Sequence, residues 1–135
     1  MNHFLVKADP EDYSIQDLQR EGETLWDGVH NYQAINVIKT MRPGDHVYIY
    51  HSMSQKAVVG EAEVVGKPFQ NTADPRFSWA VTLKFKRIFD NPISLADIKG
   101  APELREFILV RHSRLSVMPV PEDVHEWLAS RVGQE

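Results

Sequence analysis

Between Ser78 and Phe89 apolar and polar residues alternate, with Trp79, Val81, Leu83 and Phe85 on one side and Thr82, Lys84 and Lys86 on the other. Successive strand side chains point to opposite faces, so this run predicts a β-strand with one face on a core. A strand that long must find hydrogen-bonding partners elsewhere in the chain. Several segments qualify. Asp45–His51 alternates, with Val47, Ile49 and His51 on one face and His46, Tyr48 and Tyr50 on the other. Ala57–Val65 reads as a strand whose Gly60 marks a bulge or a close backbone approach. Phe4–Lys7 is a short apolar strand stopped by Asp9-Pro10, because a residue before proline is pushed out of helical geometry. Arg114–Val120 is an extended segment, and Pro119, lacking an N–H, places it at an edge or a strand end.

Helical segments lie between these strands. Ser14 to Glu21 opens on an N-cap serine with Asp17 three residues later and closes at Gly22. Asn31 to Met41 predicts a helix with Tyr32, Ile35, Ile38 and Met41 on one stripe, ended by Pro43-Gly44. After Pro92 the pattern turns helical: Ser94 and Asp97 cap a short helix that Gly100 closes, and Pro102 opens another turn through Glu106. Pro121 to Val132 is a final amphipathic helix with Val124, Trp127 and Leu128 inward. Trp26-Asp27-Gly28-Val29 reads as a turn, and residues 68–76 as loop. Interspersed strands and helices without a regular βαβ rhythm predict an α+β fold, with a mostly antiparallel sheet or open β-barrel flanked by helices. At 135 residues this is one domain, 1–135.

Composition removes several function classes. There is no cysteine, which excludes a disulfide scaffold, thiolate metal sites and a cysteine nucleophile. The six histidines show no H-x-H or H-E-x-x-H spacing, so the sequence points to no metal site. No Walker lysine loop or dinucleotide glycine fingerprint is present, so no cofactor is expected. No G-x-S-x-G elbow supports a hydrolase triad, and an enzyme is disfavoured. The first ten residues lack the apolar stretch and flanks of a signal peptide, and no apolar run is long enough to span a membrane, so a cytoplasmic location is expected. The net charge of −4 is unevenly spread. Residues 1–27 hold two basic against seven acidic side chains, whereas residues 76–114 hold eight basic against four acidic. A weakly acidic chain has no global field for polyanions, so any nucleic-acid contact relies on local patches.

Binding chemistry concentrates in Trp26-Asp27-Gly28-Val29-His30-Asn31-Tyr32-Gln33, two aromatics and two amides around the entry to a helix. Amides read the edge of a heterocycle while an aromatic ring stacks on its face. Taken singly, Trp26 and Tyr32 fit equally as core residues and Asn31 as a helix cap.

These motifs resemble the EVE domain. The resemblance rests on Leu5-Val6-Lys7-Ala8-Asp9-Pro10, Tyr13-Ser14-Ile15, the Trp26–Ala34 run and Met41-Arg42-Pro43-Gly44-Asp45. It continues through Tyr50-His51-Ser52, Val59-Gly60-Glu61-Ala62 and the stretch from Arg111 to Val120, in family order over essentially the whole chain. It implies a PUA-like open β-barrel, related to YTH domains, and a non-catalytic module that captures a nucleobase, a modified one in DNA or RNA, or a free nucleoside. The base-binding residues it implies are Lys7, Trp26, Asn31, Tyr32, Gln33, Tyr50, His51, Ser52, Arg111, Ser113 and Arg114. Trp26 or Tyr50 would stack, Asn31 and Ser52 would read polar edges, and Lys7, Arg111 and Arg114 would meet phosphate or a carbonyl. Two alternatives stand beside this reading. One is an ASCH-like hydrolase of acylated nucleosides using Lys7 with Glu61 or Glu63, and the other a small-metabolite-binding or protein-interaction domain. The chain departs from the family's usual pattern at Ala8, where a serine is common, and at His30 and Ile35, where arginines are common.

Overall fold

The fold is seen in a computed structural model, which describes residues 1–53, 55–112 and 114–132. Its strands are β1 (His3–Ala8), β2 (Glu23–Val29), β3 (His46–His51), β4 (Ala57–Val64), β5 (Phe69–Gln70), β6 (Trp79–Ser94) and β7 (Val117–Val120). Its helices are α1 (Ile15–Glu21), α2 (Tyr32–Ile38), α3 (Leu95–Lys99), α4 (Ile108–Arg111) and α5 (Glu122–Val132), with a 3-10 turn over Pro102–Leu104. Six strands in the order β2-β6-β4-β3-β1-β7 form one strongly curled half-barrel, and the two-residue β5 adds to β6. Every pairing is antiparallel except β1 with β3. The α+β reading with a mostly antiparallel open barrel therefore holds. No described helix is long and apolar enough to cross a membrane.

Local chemistry sets most element ends. Ser14 and Asp17 form a reciprocal capping box at the start of α1, and Gly22, at φ 82°, closes it. Asn31 caps α2 and Ser94 caps α3, each side chain accepting a backbone N–H three residues on. β7 is an edge strand, which accommodates Pro119. Gly60 sits at register shifts on both flanks of β4, because a side chain there would collide with Ile15 and the backbone of β6.

The sequence expectations need six corrections, the first being that the expected loop over 68–76 contains the two-residue β5 on β6. Trp26–Val29 is the end of β2 rather than a turn; the Asp-Gly pair forms a bulge, with Gly28 at φ 75°. β6 continues through Pro92 to Ser94, because Pro92 lies in the bulge between the Ile88–Gly60 and Ile93–Val58 pairs, where no ladder partner is required. The second helix ends at Ile38, five residues before Pro43 and short of the expected Met41. Its inward face is Ala34, Ile35 and Ile38, with Met41 buried beyond it, while Tyr32 is 71% exposed. Finally, α4, four residues with no side-chain cap, carried too little pattern to be legible.

The core fills the concave side of the half-barrel and the space under the helices, with Leu5, Val47, Ile49, Val58, Val81 and Leu83 from the sheet against Ile15, Leu18, Ile35, Ile38 and Leu128. β3 is buried on both faces, so its alternation separates two packed layers rather than core from solvent. Because β1 and β3 run parallel, with His3 opposite His46 and Lys7 opposite Tyr50, the pair has two chemically different ends.

Candidate nucleic-acid interface

At the carboxyl end of the β1–β3 pair, Lys7 lies between two cavities. The first, about 340 Å³, is bounded by Lys7, Ala8 and Asp9 of the β1 end, Asp12 and Tyr13 of the following turn, and Thr24 to Asp27 of β2. Trp26 forms one wall, half-buried against the core, with Tyr13 edge-on to its indole at 6.1 Å between ring centroids. Tyr13 Oη donates to Glu21 Oε1 at 2.5 Å, which ties this ring to the end of α1. Asp9, Asp12 and Asp27 make the rim acidic.

The second cavity, about 600 Å³, is lined by Lys7, Tyr50, Ser52, Met53, Lys56, Leu95, Lys99 and Leu109. It carries three lysines and no carboxylate. Burial pushes the Lys7 amine below the usual lysine range and the Tyr50 phenol above its own. The Lys7 Nζ stands 5.8 Å from the Tyr50 ring centroid, within cation–π reach. Ser52 donates its hydroxyl to the Ala8 carbonyl at 3.2 Å, a bond that closes the end of the parallel pair.

A third cavity, about 320 Å³, gathers Asn31 and Gln33 with Arg111, His112, Arg114 and Leu115. Arg111 reaches both oxygens of Glu106 at 2.9 and 3.0 Å in an exposed pair, which a phosphate can displace at little cost. Asn31 Oδ1 is occupied by the Ala34 N–H at 3.0 Å, leaving its amide hydrogens to donate elsewhere. Asn31→Ala is therefore expected to cost about 1 kcal/mol of stability in chemical denaturation, and Asn31→Asp, which retains a capping oxygen, less than about 0.5 kcal/mol.

The structure thus divides the sequence-derived residues among three depressions, of which the first two share Lys7. Lys7 and Trp26 share the first, Lys7, Tyr50 and Ser52 the second, and Asn31, Gln33, Arg111 and Arg114 the third. Two residues stand apart. Tyr32 stacks on Phe77 at 5.8 Å, a pair of exposed rings outside the cavities. His51 is 3% exposed and accepts the Ile15 N–H on Nε2 at 3.0 Å, so its Nδ1–H donates to Gln55 Oε1 at 2.8 Å. Nε2 thus ties the start of α1 to the end of β3, and Nδ1 ties the β3–β4 connection through Gln55. Ser113 lies outside the described residues. His30 is bonded to Asp74 at 2.7 Å. Asp74 is held down to about 2 by the Arg76 backbone N–H, His30 and Ser78, so this network anchors residues 71–78 beside the β2 bulge.

Lys7 shares no cavity with Glu61 or Glu63. Glu61 bonds His46 and Arg87, and Glu63 pairs with Lys86. Sequence reasoning passed over Tyr13, Asp12, Lys56 and Lys99 as site residues. Tyr13 falls within the Tyr13-Ser14-Ile15 motif of the resemblance, whereas the lysines carry no local signal.

A family model described as the EVE domain matches residues 2–131. The chain belongs to the EVE domain family. Among curated proteins this EVE domain is 30% identical to rat thymocyte nuclear protein 1, covering 96% of this chain and 73% of that protein. A crystal structure of a Pseudomonas syringae protein superposes with a TM-score of 0.90 at 32% identity, covering 97% of this chain and 99% of that one. Human THYN1 protein, in a crystal structure in complex with 5-methylcytosine containing DNA, superposes with a TM-score of 0.87 at 26% identity, covering 100% of this chain and 99% of that one.

Proposed function

We propose that this EVE domain is a non-catalytic reader of a modified nucleobase in nucleic acid, with the base in the Trp26–Tyr13 cavity and the flanking phosphates on the two cationic depressions. The observation that carries the proposal is the division of charge around Lys7. An aromatic wall with an acidic rim suits a flat ring bearing an exocyclic amine, since carboxylates accept from cytosine N4. That same rim repels phosphate, which finds Lys56 and Lys99 on one side and Arg111 and Arg114 on the other. A relative with bound 5-methylcytosine DNA supports a methylated cytosine as the first ligand to try.

The test is titration of labelled oligonucleotides with cytosine or 5-methylcytosine at one position, at two salt concentrations. One methyl group buried against apolar surface is worth about 0.8 kcal/mol, so the modified oligonucleotide should bind about fourfold tighter. Four phosphate contacts give a slope of about −3.6 in log affinity against log salt, or roughly a hundredfold loss between 50 and 200 mM. Equal affinity for the two oligonucleotides at both salts would remove the base-reading claim for this modification. No salt dependence would remove the phosphate assignment.

A further inference from the structure

At the opposite end of the parallel pair, remote in the register from Lys7 and Tyr50, three histidines from distant parts of the sequence converge. We propose that His3, His46 and His125 form a binding site for a divalent transition-metal ion of the zinc type, which pins α5 to the start of β1 and β3. One nitrogen from each ring lies within 4.8 Å of the other two. His3 and His46 are direct partners in the β1–β3 register, and their Nδ1 atoms are 3.0 Å apart. His125, from α5, stacks on the His3 ring at 3.5 Å between centroids and 11° between planes.

Hydrogen counting supports a cation between the two Nδ1 atoms. His46 Nε2 stands 2.5 Å from Glu61 Oε1, and His3 Nε2 stands 3.3 Å from Glu122 Oε2. Each Nε2 donates to its carboxylate only if it carries the ring's hydrogen. A neutral imidazole has one, so both Nδ1 atoms then face each other with bare lone pairs. In that pair of tautomers a shared proton or a metal ion joins the two rings, whereas a hydrogen on His3 Nδ1 makes the contact an ordinary hydrogen bond. Two nitrogens on a tetrahedral zinc ion, at about 2.0–2.1 Å each, sit about 3.3 Å apart, so the pair opens by only a few tenths of an ångström.

The surroundings have the form of an outer ligand shell. A metal-bound imidazole usually donates its other N–H to a carboxylate, which orients the ring and raises its basicity. Glu61 and Glu122 are placed for that role, and Glu61 is itself held by Arg87 Nε at 2.9 Å. His125, stacked on His3 and with its Nδ1 2.7 Å from the Tyr48 hydroxyl, joins the ion by turning out of that stack. Imidazole nitrogen with carboxylate support selects zinc, cobalt, nickel or copper over magnesium or calcium, which demand oxygen ligands.

Cobalt(II) titration of the full chain, with any affinity tag removed, tests the site. Visible absorption bands of a nitrogen-ligated ion should saturate at one equivalent, and excess Zn²⁺ should bleach them. His3→Ala with His46→Ala should abolish the bands. Glu61→Gln should weaken binding by about ten- to a hundredfold. His30→Ala and His112→Ala, elsewhere on the surface, should leave binding unchanged. In the unsubstituted protein, one equivalent of Zn²⁺ should shift the ring nitrogen resonances of His3 and His46 and raise the melting temperature. That readout does not depend on any variant folding. Bands absent up to millimolar Co²⁺, bands that persist in the double variant, or His3 and His46 resonances unmoved by zinc would each overturn the proposal and leave a plain hydrogen bond between the two rings.

Discussion

Trp26→Ala is expected to weaken binding of the modified oligonucleotide by about 5- to 150-fold, the equivalent of the 1–3 kcal/mol that one base–aromatic stack is worth. The direction follows from the position of the ring. A base taken out of its duplex gives up its stacked neighbours, and under the proposal the indole, with Tyr13 set edge-on to it, would replace them. The slope of affinity against salt should not change, because Trp26 neutralises no phosphate. Lys99→Ala should do the reverse: little change in the preference for the modified base, and a slope shallower by about one. Trp26 also packs against the core, so the alanine variant loses some stability. Trp26→Phe separates the two effects, since it retains a stacking face and most of the packing and should fall between wild type and alanine in affinity. Unchanged binding by Trp26→Ala, measured well below its melting temperature, would remove the base from this cavity. Binding lost equally for every oligonucleotide, with the salt slope altered, would turn the indole into a scaffold for the cationic surfaces.

How far the sequence showed all this depends on the range of each interaction. Ser14 with Asp17, Asn31 and Ser94 act within three residues of themselves, and each was legible as a cap. Gly60 announced a bulge because a glycine inside an apolar strand needs a reason. Tyr32 misled: its spacing from Ile35 and Ile38 matches a buried stripe, yet it is the first residue of α2 and stacks on exposed Phe77. The Pro92 signal misled for the opposite reason, since the bulge that tolerates it is set by the partner strand. The candidate base site was half legible. Trp26 and Lys7 come from motifs, but Lys56 and Lys99 reach one cavity only through the return of β6 along β4 into α3. The histidine cluster was invisible. Spacing motifs detect ligands on one helix or loop, whereas His3 and His46 meet through strand register and His125 arrives on the last helix.

Gly60→Ala should lower stability by about 3 kcal/mol, the upper end of what added core volume costs, and lower the melting temperature by roughly 10 °C for a chain of this size. Most surface substitutions cost a fraction of that. A Cβ at this position would overlap Ile15 Cδ1 and the backbone oxygen of Arg87, with Ile88 Cα also close at 3.3 Å. Ile15 can swing its terminal methyl aside, but the Arg87 carbonyl belongs to the β6 ladder and moves only with the strand. The two clashes are separable. Ile15→Val removes the methyl at a cost of its own of about 1 kcal/mol, so the double variant should be more stable than the sum of the single losses by whatever share the methyl contributes. Strict additivity would assign the whole cost to the Arg87 backbone. The effect also reaches the candidate base site, because Ile15 begins α1 and its N–H is bonded to His51. Displacing α1 shifts Tyr13, two residues upstream, and with it the edge-on partner of Trp26. Gly60→Ala should therefore weaken modified-base binding at temperatures where the protein is still folded, and Ile15→Val in the same chain should restore part of the affinity together with part of the stability. Stability recovered without affinity would show that α1 does not position the aromatic wall.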